Sequence, residues 1–318
     1  VKDANEESRL VRIRGIREVA TDVNSYELVP ADGRPLPAFT AGAHVDVQVP
    51  NGMVRQYSLH GDPEDRSVYR IAVKREASGR GGSVSLHNGA EVGSALGIVG
   101  PRNHFPLDPG AQRHLFIAGG IGITPIYAMA QTLSAQGKPW TLHYCARTPD
   151  HAAFHDELRR LRGGEVIPHF SEVPTLDVVD LLRVQPDGTH LYCCGPQGLM
   201  KAVEAAAAHW TPGSVHFEWF SAPSTEGLSK EPVEVQLARS GRVFVVPAHR
   251  TILQVLRENG VDVPCACEEG VCGTCETAVL EGEPDHRDML LTPGERAEGR
   301  TMMICVSRAK SPRLVLDL

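Results

Sequence analysis

The chain has 318 residues, room for two or three domains, and a net charge of −7 with 42% hydrophobic and 22% charged residues. That balance argues against nucleic acid as a partner, because phosphate backbones call for clustered Lys and Arg, and no apolar run approaches the length of a membrane span. The eight cysteines, two of them adjacent at Cys193 and Cys194, do not form a disulfide framework. The first residues, Val1 to Glu7, hold no apolar signal core, and the expectation is a cytoplasmic protein.

Residues 1–105 read as an antiparallel β-barrel. Leu10 to Arg14, His44 to Val49 and Tyr69 to Lys74 alternate apolar and polar residues, with turns marked by Asp32-Gly33, Pro50-Asn51-Gly52 and Gly61-Asp62-Pro63. Two segments carry chemistry. In Arg55-Gln56-Tyr57-Ser58, a strand puts Arg55 and Tyr57 on one face and Gln56 and Ser58 on the other. A guanidinium, an aromatic ring and a hydroxyl at that spacing suit the phosphate, ring and reactive nitrogen of a flavin; an edge strand with a solvated Arg is the plainer reading. Gly79-Arg80-Gly81-Gly82-Ser83 then leads into the helix-like Val84 to His87. Exposed N–H groups at a helix start hold phosphate, although glycine turns are common.

Residues 106–222 read as an α/β domain with a parallel sheet. The apolar strand Arg113 to Ala118 runs into Gly119-Gly120-Ile121-Gly122-Ile123-Thr124-Pro125 and a helix with Ile126, Met129, Ala130 and Leu133 on one stripe. The string is not G-x-G-x-x-G, but the expectation is the same: glycines that let a pyrophosphate approach the backbone. Strands follow at Trp140 to Ala146, Val166 to Phe170, His190 to Cys194 and Val215 to Phe220, with helices at Ala153 to Leu161, Leu176 to Leu182 and Gln197 to Ala208. Ligands are expected at the C-terminal strand ends, where Gly119 to Thr124 and Cys194-Gly195-Pro196 both lie. Cys194 reads either as a packed core thiol or, from that position, as a nicotinamide contact.

Residues 223–232 read as a Pro/Gly/Ser-rich linker and residues 233–318 as an α+β ferredoxin-like domain. A hairpin, Val233 to Leu237 with Val243 to Val246, precedes a helix, Ile252 to Glu258, that ends at Asn259-Gly260. Cys267-x4-Cys272-x2-Cys275 follows, and 29 residues intervene before Cys305, in the strand-like run Met302 to Val306. This is the spacing of a plant-type [2Fe–2S] site. Zinc fits poorly, since zinc sites pair two short arms. Cys265 is a fifth thiol, and the four-residue gap to Cys272 favours Cys267 as ligand, leaving Cys265 a buried or bystander thiol. Glu268, Glu269, Glu276, Glu281, Glu283, Asp285 and Asp288 form either a solvated acidic face or a docking surface for a basic electron acceptor.

Taken together, Arg55 to Ser58, Ala72-Val73-Lys74, Gly79 to Ser83, Gly119 to Pro125, Tyr192 to Pro196, His216-Phe217-Glu218 and the Cys267 to Cys305 set resemble the phthalate dioxygenase reductase family, which includes vanillate demethylase reductases. The resemblance covers essentially the whole chain. It implies FMN, NADH and a [2Fe–2S] cluster as cofactors, and a Rieske-type terminal oxygenase of an aromatic or demethylating system as partner, with the reductase itself monomeric. It implies that Arg55, Gly81, Gly82 and Ser83 hold the FMN phosphate. Gln56, Tyr57, Ser58, Ala72, Val73, Lys74, Thr124 and Phe220 would line the flavin, with Ser58, Cys194 and Phe220 at the reacting atoms. Gly119, Gly120, Ile121, Gly122, Ile123, Thr124, Pro125, Arg147, Cys194, Gly195 and Pro196 would contact NADH. Gln56 departs from the small polar residue of the family, so its role is open. Arg147 lies after the second strand of the α/β domain, where the 2′-phosphate of NADPH could be read instead.

Electron counting leads to the same mechanism. Nicotinamide gives two electrons as a hydride, a cluster accepts one at a time, and a flavin handles both. Two other classes compete with it. A stand-alone NADH reductase has no use for a one-electron exit, and a redox-sensing binding protein has no use for a hydride site.

Overall fold

Apolar–polar alternation builds the first sheet. β1 (Arg9–Ala20), β2 (Val23–Pro30), β3 (His44–Gln48), β4 (Val54–His60), β5 (Tyr69–Lys74) and, after helix α1 (Gly82–Gly89), β6 (Ala95–Arg102) close into an antiparallel barrel in the order β1-β2-β5-β4-β3-β6. Inward positions such as Val11, Ile13, Leu28, Val45, Val47, Leu59 and Ile71 are buried together, while Arg12 and Arg14 of β1 face out. In this computed structural model, residues 8–171, 176–220 and 231–318 are described.

A second sheet follows: β7 (Arg113–Gly119), α2 (Ile123–Ala135), β8 (Trp140–Ala146), α3 (His155–Arg159), β9 (Gly164–Phe170), α4 (Val178–Leu182), β10 (Thr189–Cys194), α5 (Gln197–Ala206) and β11 (Val215–Glu218). Its strands are parallel in the order β11-β10-β7-β8-β9. The direction of winding reverses between β7 and β10, so their C-terminal ends form the crevice in which such sheets bind ligands. The helix expected from Ala153 is shorter. Phe154 adopts φ 61 and stacks on Tyr127 at 4.8 Å, so α3 begins only at His155.

Barrel and parallel sheet share one core. α2 is buried along most of its length, and Ile126 and Met129 pack in the same apolar cluster as Val23, Ala41, Ala72 and Phe105 from the barrel side and Phe116 from the sheet. The chain accordingly falls into two compact units, Val1–Glu218 and Trp219–Leu318. Of the expected linker, residues 223–230 lie outside the described residues.

The second unit holds β12 (Val233–Leu237), β13 (Val243–Val246), α6 (Ile252–Glu258), β14 (Glu276–Glu281), β15 (Pro284–Asp285), α7 (Pro293–Glu298), β16 (Thr301–Met303), β17 (Arg308–Ala309) and β18 (Arg313–Leu316). The main sheet runs β13-β12-β18-β14-β16, with β15 and β17 as a separate pair. α6 lays Ile252, Leu253 and Leu256 onto Val235, Leu237, Leu314 and Leu316. Cys305 does not continue a strand. β16 stops at Met303, whose carbonyl accepts from Val306 N at 3.2 Å and Ser307 N at 2.9 Å. This turn swings Cys305 toward the loop that carries the other thiols.

α6 begins at a capping box: the Gln254 N–H donates to Thr251 Oγ1 at 3.1 Å and the Thr251 N–H to Gln254 Oε1 at 3.0 Å. Thr251→Ala should cost about 1 kcal/mol in urea unfolding of the second unit, and Thr251→Ser much less. Equal stability of all three proteins would show that the cap does not hold the helix.

Candidate redox site

The closed barrel is thinly paired at one seam. β5 bonds to β2 as far as Lys74, and β4 bonds to β3 as far as Val54. β4 and β5 pair with each other only at Leu59↔Ile71 and His60↔Arg70. Beyond these pairs the strands part, and Arg55 to Ser58 and Ala72 to Lys74 turn main-chain edges toward each other without a ladder between them. Backbone groups in a half-buried seam need hydrogen-bonding partners, and a flat, polar-edged ring such as a flavin would supply them. Tyr57 lies in the seam, and burial pushes its phenol pKa up.

At one end of the seam stands the N-terminus of α1. Gly81, with φ 88, occupies the cap position and brings no side chain over the first-turn N–H groups. A Cβ on Gly82 would lie 2.9 Å from Arg55 Cγ and Nε, so the Arg55 side chain lies directly against the helix start. Arg55 Nη1 donates to the Val54 carbonyl at 2.7 Å. Ser83 Oγ accepts from the Glu76 N–H at 3.0 Å, and Lys74 pairs with Glu76 at 3.2 Å. A cation beside helix-start N–H groups that no described side chain caps fits a phosphate. Gln56 faces elsewhere: its Nε2 donates to Asp46 Oδ1 at 3.1 Å, and Asp46 also accepts from Arg102. The structure thus gives Gln56 a partner within the barrel wall.

The strand ends of the parallel sheet are closely packed. A Cβ on Gly122 would lie 2.3 Å from the Cys194 carbonyl oxygen, and one on Gly119 2.5 Å from Pro196 Cδ. These glycines serve the contact between the β7–α2 and β10–α5 turns. Gly120 differs, with φ 53 and nothing within 4 Å of the Cβ position. The expectation that the glycines as a group admit a ligand therefore narrows to Gly120. Thr124 is buried and its Oγ1 donates to the Ile121 carbonyl at 3.1 Å. Ile123 and Pro125 are buried in α2, whereas Ile121 is half-buried and Arg147 is exposed just after β8.

Barrel and sheet meet at a buried polar cluster. Cys194 and Glu218 are register partners at the ends of β10 and β11. Ser58 Oγ, from β4, donates to Glu218 Oε2 at 3.3 Å, and His44 Nδ1 lies 3.9 Å from Glu218 Oε1. Burial pushes the Glu218 carboxyl up to about 8, the Ser58 hydrogen bond opposing that shift. Burial, reinforced by the Glu218 charge, raises the Cys194 thiol well above its ordinary value, so it is a neutral thiol rather than a nucleophile. Sequence reasoning assigned no role to Glu218. The available signal was a carboxylate closing a strand at the ligand end of a parallel sheet. Phe220 stands two residues past β11, across the unit boundary, and is 41% exposed.

In the second unit five thiols gather. Cys267 is hydrogen-bonded to Cys272 and Cys305, and these bonds hold its thiol far below the ordinary value. Sγ atoms of Cys265, Cys275 and Cys305 lie within 4.8 Å of one another. The expected four ligands are thus together, and Cys265 sits with them rather than apart. Backbone N–H groups of Glu269 and Thr274 donate to Cys267 Sγ at 3.2 Å and Cys272 Sγ at 3.4 Å, which favours thiolates. Gly270, with φ 68, leaves no room for a side chain: its Cβ would fall 2.5 Å from Val306 Cγ2. Four buried thiols, aimed N–H donors and a tight glycine loop fit a [2Fe–2S] cluster.

The comparisons agree with this geometry. Residues 235–310 match the 2Fe-2S iron-sulfur cluster binding domain family, and residues 101–211 match the N-terminal domain of dimethylamine monooxygenase subunit DmmA-like proteins. The phthalate dioxygenase reductase of Burkholderia cepacia is 46% identical over 97% of this chain and 97% of its own length. The chain belongs to the phthalate dioxygenase reductase family. The phenoxybenzoate dioxygenase subunit beta of Ectopseudomonas oleovorans is 49% identical, again over 97% of both chains. Among solved structures, phthalate dioxygenase reductase, described as modular for electron transfer from pyridine nucleotides to [2Fe-2S], superposes with a TM-score of 0.75 at 44% identity, over 98% of each chain. An intact type IV self-sufficient cytochrome P450 monooxygenase gives a TM-score of 0.87 at 43% identity, but this chain covers only 41% of it.

Two outcomes follow for this family member. In flavin-free protein, Glu218 holds its proton to about pH 8 when folded, against 4.5 for an ordinary carboxyl. The folded state then binds more protons than the unfolded state between those values, so stability falls as pH rises across that window and levels off above it. Glu218→Gln should remove that slope in denaturant midpoints measured from pH 5 to 9; an unchanged slope would place the carboxyl in water. Gly270→Ala should lower the iron and acid-labile sulfide content of purified protein several-fold while leaving flavin content unchanged.

Proposed function

We propose that this protein is the reductase component of an oxygenase system: it takes a hydride from NADH onto FMN and releases single electrons through a [2Fe–2S] cluster to a Rieske-type terminal oxygenase. The observation that carries this reading is the presence, on one chain, of a flavin-shaped seam beside a nucleotide crevice and of a four-cysteine cluster nest. The full-length likeness to phthalate dioxygenase reductase supports it. A stand-alone NADH reductase would need no cluster unit, and a redox-sensing binding protein would need no hydride site. A haem monooxygenase as acceptor is the second reading, favoured by the likeness to part of a self-sufficient cytochrome P450.

Bound flavin supplies the conversion of a two-electron hydride into two one-electron steps. The protein's share is binding and orientation. Arg55, the N–H groups at Gly82 and Ser83, and the Ser83 hydroxyl hold one phosphate, which suits FMN rather than a dinucleotide. The open edges of Tyr57, Ser58 and Ala72 to Lys74 orient the ring. Thr124 closes the seam from α2, and Phe220 keeps the flavin-lining role that the family resemblance implies for it. Gly120 gives the NADH pyrophosphate its approach, Gly195 and Pro196 line the crevice beside it, and Arg147 reaches the adenosine ribose. Cys194, as a neutral thiol, packs against the nicotinamide without competing for hydride. Glu218 keeps its proton at neutral pH and shares the Ser58 hydroxyl, so no negative charge opposes a hydride arriving there. Cys267, Cys272, Cys275 and Cys305 hold the cluster. The chain acts as a monomer in the cytoplasm.

Cys305→Ser tests the order of the redox groups. The variant should keep NADH-dependent reduction of ferricyanide, a small acceptor that reaches flavin directly. It should lose at least nine-tenths of its reduction of cytochrome c, a protein acceptor served through the cluster. Equal loss of both activities, in protein that retains flavin, would make the cluster part of the hydride site and overturn the proposed order.

A further inference from the structure

At the opposite ends of β10 and β11 from Cys194 and Glu218, three metal-binding side chains converge. His190 and His216 are the second residues of their strands, and Asp108 comes from the connection between β6 and β7. The ligand atoms of all three lie within 4.8 Å of one another. His190 Nδ1 is 3.0 Å from His216 Nε2 and 3.9 Å from Asp108 Oδ2. Around a tetrahedral zinc ion, with bonds of about 2.0–2.2 Å, ligand atoms stand roughly 3.3–3.5 Å apart. The two His190 separations bracket that value and the third pair, Asp108 to His216, lies within 4.8 Å, so side-chain adjustment without backbone movement would complete the set.

We infer that Asp108, His190 and His216 form a zinc(II) site that ties the β6–β7 connection to the parallel sheet.

The site is built around one buried ring. Tyr192 is fully buried; His216 stacks on it at 4.5 Å and 12°, and its hydroxyl accepts the Asp108 N–H at 2.8 Å. Tyr192 thereby fixes two of the three donors, and His190 stacks on His216 at 16°. Asp108 Oδ1 accepts from the Gly110 N–H at 2.7 Å, which points Oδ2 toward His190. The neighbouring His114 is not a ligand, since its Nδ1 faces the Pro139 carbonyl at 3.4 Å. The His190 and Asp108 side chains are 18% and 39% exposed, which gives the ion an entry path and a water as fourth ligand. No electron-transfer role attaches to these residues; the expected consequence is stabilisation by binding to the folded state.

Zinc chloride titrated into chelator-washed holoprotein by calorimetry tests this. The wild type should bind one equivalent at micromolar or tighter affinity, with a rise in melting temperature. His216→Ala and Asp108→Asn should each weaken binding at least tenfold and abolish the rise, while flavin and cluster absorbance and NADH–ferricyanide turnover stay at wild-type levels. Should His216→Ala fail to fold, Asp108→Asn alone carries the comparison, because it removes only a partly exposed charge. Absence of binding to the wild type, or identical zinc isotherms for wild type and a folded variant, would overturn the site and leave a plain His190–His216 hydrogen bond.

Discussion

Ser58 and Glu218 belong to different sheets and lie 160 residues apart in sequence, yet a hydrogen bond joins them. It forms where the parted strands of the barrel meet the C-terminal edge of the parallel sheet. A carboxylate at such a place is costly to ionise, because burial removes its hydration and its partners among the described residues are a hydroxyl and a distant imidazole. The carboxyl therefore stays protonated at neutral pH. That single constraint keeps a proton on the carboxyl at the junction, and it depends on the apposition of two sheets that share one core.

Close packing makes that junction reproducible. Gly122 and Gly119 leave no gap against the β10–α5 turn, so Cys194 and Glu218 sit where the register of β7, β10 and β11 puts them. α2 then serves both layers, since its residues join a core that includes side chains of barrel and sheet. A site on such rigid elements needs little reorganisation when a cofactor binds, which is how positioning alone lowers a barrier. In the second unit the same device recurs with Gly270 against Val306, here shaping a loop around thiols.

Local signals in the sequence were legible, and long-range ones were not. Cys267, Cys272 and Cys275 declare their chemistry by spacing alone. Strands such as Trp140–Ala146 and Val233–Leu237, and the helix Ile252–Glu258, match their expected ends because periodicity and capping are local. Cys305 was misplaced on a strand because an apolar run gives no sign of a turn within it. Gly119 and Gly122 look the same in sequence whether a ligand or a neighbouring turn takes the space; only the fold assigns them to packing. The role of Glu218 depends on a barrel residue 160 positions away, and Asp108 meets His190 and His216 only once the sheet is assembled. Gln56, an unexplained departure in the sequence, finds its partner in Asp46 of the adjacent strand.

The most direct test of the account is an anaerobic titration of the purified protein with NADH, following the visible flavin band and the electron paramagnetic resonance spectrum together. Bleaching of the flavin with the appearance of a reduced [2Fe–2S] signal is the predicted result. Bleaching with a cluster that stays silent, in protein shown to contain its iron, would contradict an electron path from nicotinamide through flavin to the four cysteines.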